Sequence, residues 1–415
     1  ILSASVYSFA DDRVNFSGEF RTRAWTKQNN NFVNEDMDQN YWDQRFRVAT
    51  TINISEAVST HLRFDYGEGV WGENFERGGW VNPDAGTENN LQIDRAFAQI
   101  TQDMYTLKAG LHWNGVGNYI LWDQQTTGIT LDLNLPVQIT LNYSKVSEGG
   151  NATTANHLTD EEDFLSEDTD FYGVNFAYGQ EMWNIGALFA MLNDYSDEDS
   201  PLYNEAGGTR YGFGIYGSVA LDMLTISGEI DILDGEVNDN VDYYGTQGFL
   251  EVAYQMNDKF NIGGSVYYGE GSDDADEQQT TNVNNGGWTF NPLGFGGELF
   301  DDYYPEGSRG IFNFANVVGL GGLAGANAGV VGGRLYSDMT LTDKISAYLR
   351  LGYLEPEEDF DTDASAFIAT GNVDYQWLEN VYLSGGLSVT DVSEDIPGVD
   401  LETKYVGVGQ IAVKF

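Results

Sequence analysis

The chain contains no cysteine. Disulfides, thiolate metal centres and cysteine nucleophiles are therefore excluded together. Basic residues are scarce: 19 Lys plus Arg stand against 65 Asp plus Glu in 415 residues, a formal net charge of -46. No nucleic acid is expected as a partner, because phosphate contacts require clustered cations. Histidine is confined to His61, His112 and His157, too scattered for a metal cluster without tertiary help. Charge-free apolar runs long enough for a membrane helix are absent, with one exception at 310–333, "GIFNFANVVGLGGLAGANAGVVGG". Its length would span a bilayer. Its eight Gly and three Asn make a poor helix, so a packed glycine-rich loop leading into a strand is expected.

What is present argues for a folded chain despite the charge: 41% of residues are hydrophobic and 14% aromatic. The dominant period is two. In "RVNFSGEFRTRAW", Val14, Phe16, Gly18, Phe20, Thr22 and Ala24 share one face, and Asn15, Ser17, Glu19, Arg21, Arg23 and Trp25 the other. In "YWDQRFRVATTINI", Trp42, Phe46, Val48, Thr50, Ile52 and Ile54 oppose Tyr41, Asp43, Arg45, Arg47, Thr51 and Asn53. "THLRFDY" sets Leu62, Phe64 and Tyr66 against His61, Arg63 and Asp65. The pattern recurs to the end of the chain and predicts about 18 strands, with 16 as the alternative. Ten strand residues tilted near 40° rise about 25 Å, the height of the apolar band of a membrane barrel.

The connections alternate between short turns, such as 134–136 and 222–223, and long segments, the longest being 271–327. Short turns on one rim and long loops on the other fit an antiparallel up-and-down transmembrane β-barrel. Alternation also suits an aqueous sandwich, but 18 strands in water would divide into two domains. No linker or composition shift divides this chain, so residues 11–415 read as one domain. Ser8-Phe9-Ala10 before Asp11 has the small-x-small form that ends a secretory signal. Residues 1–10 are expected to be a signal-peptide remnant, the alternative being the frayed start of the first strand.

The last strand, "KYVGVGQIAVKF", places Tyr405, Gly407, Gly409, Ile411, Val413 and Phe415 on one face. With that terminal aromatic, the chain resembles a Gram-negative outer-membrane porin of the 16–18-stranded superfamily. The resemblance implies an integral outer-membrane barrel with lipid and lipopolysaccharide around it. It also implies a last strand read by the barrel-assembly machinery and paired with the first, short periplasmic turns, long extracellular loops, and a homotrimer.

Parity turns Arg21, Arg23, Arg45, Arg47, Arg63, Arg95 and Lys108 inward on five neighbouring strands, and Arg334 and Arg350 inward on later ones. A lipid-facing Arg near the midplane costs about 2–4 kcal/mol. Inward acids Glu19, Asp43, Asp65, Asp94 and Asp132 are candidate partners. Two readings stand: simple ion pairing, or a basic strip lining a pore. In the resembled superfamily the constriction loop follows strand 5. Here that connection, "NGVGNYILWDQQ", carries only Asp123, a departure that sets its role in question. Acids crowd the long connections, as in "DEEDFLSEDTD" (160–170) and "DGEVNDNVD" (234–242). They read as a solvated, cation-concentrating mouth, with Ca²⁺ at Asp234, Glu236, Asp239 and Asp242 as an alternative. No cofactor is required.

The leading expectation is passive diffusion of small hydrophilic solutes and ions with a weak cation preference. The alternatives are a selective channel for carboxylates or acidic sugars using the Arg ladder, and a structural sheath for a partner. Catalysis is not expected, because neither inward histidine has a nucleophile-rich context.

Overall fold

The computed structural model describes residues 13–29, 38–71, 91–147, 169–194, 208–238, 241–272, 278–279, 297–300, 329–358, 364–393 and 401–415. The signal-remnant reading of residues 1–10 and most of the acidic connections lie outside them.

Among the described residues there are twenty strands and one short helix. The first nine strands are β1 (Val14–Gln28), β2 (Gln39–Asn53), β3 (Val58–Val70), β4 (Leu91–Gln102), β5 (Tyr105–Val116), β6 (Trp122–Leu133), β7 (Gln138–Ser147), β8 (Thr169–Gln180) and β9 (Trp183–Asp194). Then come β10 (Thr209–Leu221), β11 (Leu224–Asn238), β12 (Val241–Tyr243), β13 (Gly245–Asn257), β14 (Phe260–Gly269) and β15 (Gln278–Gln279). After the helix α1 (Gly297–Phe300) follow β16 (Val330–Thr342), β17 (Ile345–Glu355), β18 (Ala366–Leu378), β19 (Val381–Val392) and β20 (Lys404–Lys414). β12 and β15 form a small side pairing. The other eighteen strands pair antiparallel with their neighbours in turn, and β1 pairs with β20, so the sheet closes. Among the described residues no helix is long and apolar enough to cross a membrane.

Closure gives the sheet two unequal faces. Phe16, Phe20, Trp42, Leu62, Ile93, Ile129, Phe213, Ile215, Ile230, Ile232, Leu335 and Leu387 are all exposed. Their strand neighbours Arg21, Arg23, Asp43, Glu229, Asp231 and Ser388 are buried. In a ring, the exposed side is the outside. An apolar outside on a sheet whose strands pair all the way around the ring suits hydrocarbon, where an open sheet edge could not survive. Tyr178, Trp183, Tyr254, Tyr375 and Trp377 are exposed near the short-turn ends, where an aromatic girdle belongs.

The seam between β1 and β20 rests on a glycine. Phe415 and Gly18 exchange backbone hydrogen bonds of 3.0 and 2.8 Å. The Phe415 ring lies over Gly18 and stacks on Phe46, with centroids 6.0 Å apart. A Cβ at residue 18 would collide with that ring and with the Arg47 carbonyl oxygen. Gly18→Val is therefore expected to lower the unfolding temperature of the detergent-folded barrel by several degrees. An unchanged midpoint would show that the seam tolerates bulk. Tyr405, Gly407, Gly409, Ile411 and Val413 share the outward face with Phe415, as the alternation predicts.

Two features of the fold differ from the sequence expectation. β5 and β6 run further than their polar ends suggested, leaving only 117–121 between them. The inner face of β20 is partly apolar too: Val406, Val408 and Ala412 are buried there alongside Lys404.

Candidate functional site

The interior wall of β1–β5 carries the predicted cations, each placed by register. Arg21 lies opposite Arg45, Arg23 opposite Asp43, Glu19 opposite Arg47, and Arg47 opposite Asp65. Arg63 lies opposite Arg95. All five predicted acids meet predicted cations. Arg23 makes a bidentate pair with Asp43 at 3.0 and 2.7 Å, and Trp25 Nε1 donates to the same carboxylate at 2.9 Å. Arg47 makes a second bidentate pair with Asp65 at 2.7 and 2.6 Å. Arg45 reaches Glu19 at 3.4 Å and Lys108 reaches Asp132 at 3.5 Å. Planar guanidinium forks give such pairs direction as well as charge.

Asp94 and Arg95 are sequence neighbours, so alternation alone would send one of them to lipid. A β-bulge resolves this. Arg63 opposes Arg95 while Phe64 opposes Ile93, leaving Asp94 as the extra residue. Its buried carboxylate accepts from Arg63 Nε and from Gln125 Nε2 at 2.7 Å, with Arg95 at 3.9 Å.

Arg334 and Arg350 face inward on β16 and β17, several strands away around the ring. They form a separate group: Arg334 pairs with Glu251 and Arg350 with Asp338, each at 2.6 Å. Both guanidinium groups lie over the Tyr336 ring, at 4.9 and 5.2 Å. The predicted cations therefore make two clusters.

The β5–β6 connection crosses the interior, which answers the question its low charge raised. Asn118 donates its backbone N–H to Glu229 Oε2 at 2.5 Å and its side-chain amide to the Gly228 carbonyl at 3.1 Å. Gln247 Nε2 donates to the Ile120 carbonyl at 3.2 Å. Glu229 and Gln247 belong to β11 and β13, far around the ring from β5. Ile120, Leu121 and Trp122 are fully buried. The strap needs few charged side chains because amides, a carbonyl and greasy packing moor it. Trp122 lies over Gly173, where any Cβ would strike the indole, and packs with Phe171, Leu188 and Leu192.

A second filling comes from the aromatic-rich connection 271–327. Leu299 and Phe300 of α1, inside the predicted long connection 271–327, are buried against Gly386 on the inner face of β19. Phe300 also meets Trp25 edge-on at 6.4 Å. This explains why β18 and β20 turn Ala366, Ile368, Val406 and Val408 inward. Strands apolar on both faces were the available signal.

His61 and His112 face inward. His61 contacts Ser59 at 2.8 Å and Thr51 at 3.2 Å, and His112 contacts Thr130 at 2.8 Å. Neither set includes the orienting carboxylate of a hydrolytic triad. Of the acids considered for Ca²⁺, Asp234 and Glu236 lie on β11, Asp242 lies on β12 opposite Glu236, and Asp239 is outside the described residues. Among the described residues no group of three or more acids or histidines is arranged to hold a metal.

No family model matches the chain, and no curated protein matches its sequence. Solved structures do match in fold. One is OccAB4 of Acinetobacter baumannii, at 11% identity and TM-score 0.56, over 97% of this chain and 99% of that one. A second is OpdK of Pseudomonas aeruginosa with vanillate, at 9% and 0.55, over 97% and 98%. A third is a BenF-like porin from Pseudomonas fluorescens Pf-5, at 10% and 0.54, over 97% and 99%. The fold is that of an outer-membrane porin. Within this fold, the wall of paired charges, the strap and the α1 filling line or occupy the interior.

Proposed function

We propose that the chain is a channel of the Gram-negative outer membrane that lets small hydrophilic solutes and ions diffuse through its lumen. The observation that carries this reading is the polar wall of β1–β5, a bank of ion-paired charges inside a ring clad with apolar residues. Such a wall offers replacement contacts to a solute shedding part of its water. The net charge of -46 favours cations over anions in approach to the mouth. Lipopolysaccharide-bearing lipid around the belt, delivery by the barrel-assembly machinery through the Phe415 strand, and a homotrimer belong to this reading. Single-channel recording in a planar bilayer under a salt gradient tests it. A reversal potential of cation sign is expected, and Asp65→Asn, which removes an acid from the wall, is expected to move it toward anions. A barrel that inserts but does not conduct would refute the proposal.

A second reading has its own support. On the β1–β6 wall the named cations number two more than the named acids, and Arg21, Arg23, Arg45, Arg47 and Arg63 form a ladder across adjacent strands. A selective channel for small carboxylates would use that excess, and the similar OpdK structure was determined with vanillate. Strong anion preference with saturable block by one organic acid would select this reading over the first.

A further inference from the structure

The strap lands beside two carboxylates that the wall of paired charges does not explain. Glu229 and Asp231 are two residues apart on the inner face of β11, only 4% and 0% exposed. Among the described residues neither forms an ion pair. Asp231 lies directly opposite Gln247, itself 2% exposed. Gln247 Nε2 donates to Asp231 Oδ2 at 2.9 Å and to the Ile120 carbonyl of the strap. That leaves Asp231 Oδ1 and Gln247 Oε1 as buried acceptors with no hydrogen-bond donor. The nearest strand's cation, Arg210 on β10, is directed to Asp194 at 3.9 Å.

Two adjacent buried anions with surplus acceptor oxygens are unfavourable without a counter-charge. A single cationic side chain would leave one negative charge; a divalent cation cancels both. Carboxylate and amide-carbonyl oxygens are ligands for hard cations. We infer that Asp231, Glu229 and Gln247 form a divalent-cation site beneath the strap, with Ca²⁺ as the fitting ion. The site is separate from the rim acids and independent of whether the barrel conducts. Bound there, the ion would fasten β11 and β13, and through Glu229 and Gln247 the strap itself.

The test is calorimetric titration of the full chain, folded in detergent and stripped by chelating resin, with Ca²⁺ alone. Expected is one saturable site with a Kd on the order of 10⁻⁴ to 10⁻³ M, in the range of extracellular calcium modules. Asp231→Asn is expected to weaken it at least tenfold, while Asp222→Asn, in a short turn at the rim, leaves it unchanged and controls for surface carboxylates. Gln247→Met, which keeps both carboxylates, is expected to weaken it several-fold and serves should Asp231→Asn fail to fold. Wild-type protein without a saturable site would overturn the inference and leave the pair neutralised by a proton. Equal losses in Asp231→Asn and Asp222→Asn would overturn it as well.

Discussion

Asp43→Ala is expected to destabilise the folded barrel by about 3–5 kcal/mol, because it removes the bidentate carboxylate from a buried cation. The side chains of Arg23 and Asp43 are 3% and 4% exposed. The carboxylate takes two guanidinium hydrogens and the Trp25 indole hydrogen, so alanine removes three bonds at once. Arg23 would then keep its charge beside Arg21 and Arg45 on a wall already rich in cations. The contrast that identifies the cause is Asp132→Ala. Its partner Lys108 is 3.5 Å away, with side chains 28% and 32% exposed. Solvent screens that pair, so its loss is expected to cost about 0–1 kcal/mol. Denaturant unfolding of both variants measures the difference. Equal costs would show that burial does not set the strength of these pairs.

Ile230→Arg is expected to cost about 2–4 kcal/mol, the penalty for a cation on the lipid face near the middle of a spanning strand. Ile230 is exposed and lies near the centre of β11, with Glu229 and Asp231 on the other face beside it. The matched control is Gln99→Arg. Gln99 faces inward opposite Lys108, where the arginine would meet water and not hydrocarbon. The control is expected to change unfolding by less than about 1 kcal/mol and to act on ion selectivity instead. Unfolding in lipid vesicles reads both. A costly Gln99→Arg with a neutral Ile230→Arg would invert the assignment of faces.

Most of the fold was legible because its signal is local. A strand that separates lipid from a polar interior must alternate, and every long strand here does so in its outward face. The terminal strand was legible for the same reason, down to the shared face of Tyr405, Ile411 and Phe415. The inward set of acids and cations on β1–β6 was legible too, and two of its pairs, Arg23 with Asp43 and Arg47 with Asp65, face each other directly across adjacent antiparallel strands. What stayed hidden depends on contacts distant in sequence. The landing of Asn118 on Glu229 joins residues 111 positions apart, and nothing in "NGVGNYILW" announces its anchor. The apolar inner face of β20 makes sense only once Phe300 covers it. One hidden feature had a local clue. Adjacent charges at Asp94 and Arg95 cannot both avoid lipid in a regular strand, so a bulge was implied.

The most direct test of the central claim is a single-cysteine scan of residues 61–66 in lipid vesicles, open to this protein because the native chain has no cysteine. Each position would carry an environment-sensitive probe read against a lipid-borne quencher and a water-soluble one. Leu62, Phe64 and Tyr66 are expected to answer to the lipid quencher, and His61, Arg63 and Asp65 to the aqueous one, with a strict period of two. Uniform quenching from water at all six positions would contradict a strand that has hydrocarbon on one side and a hydrated lumen on the other.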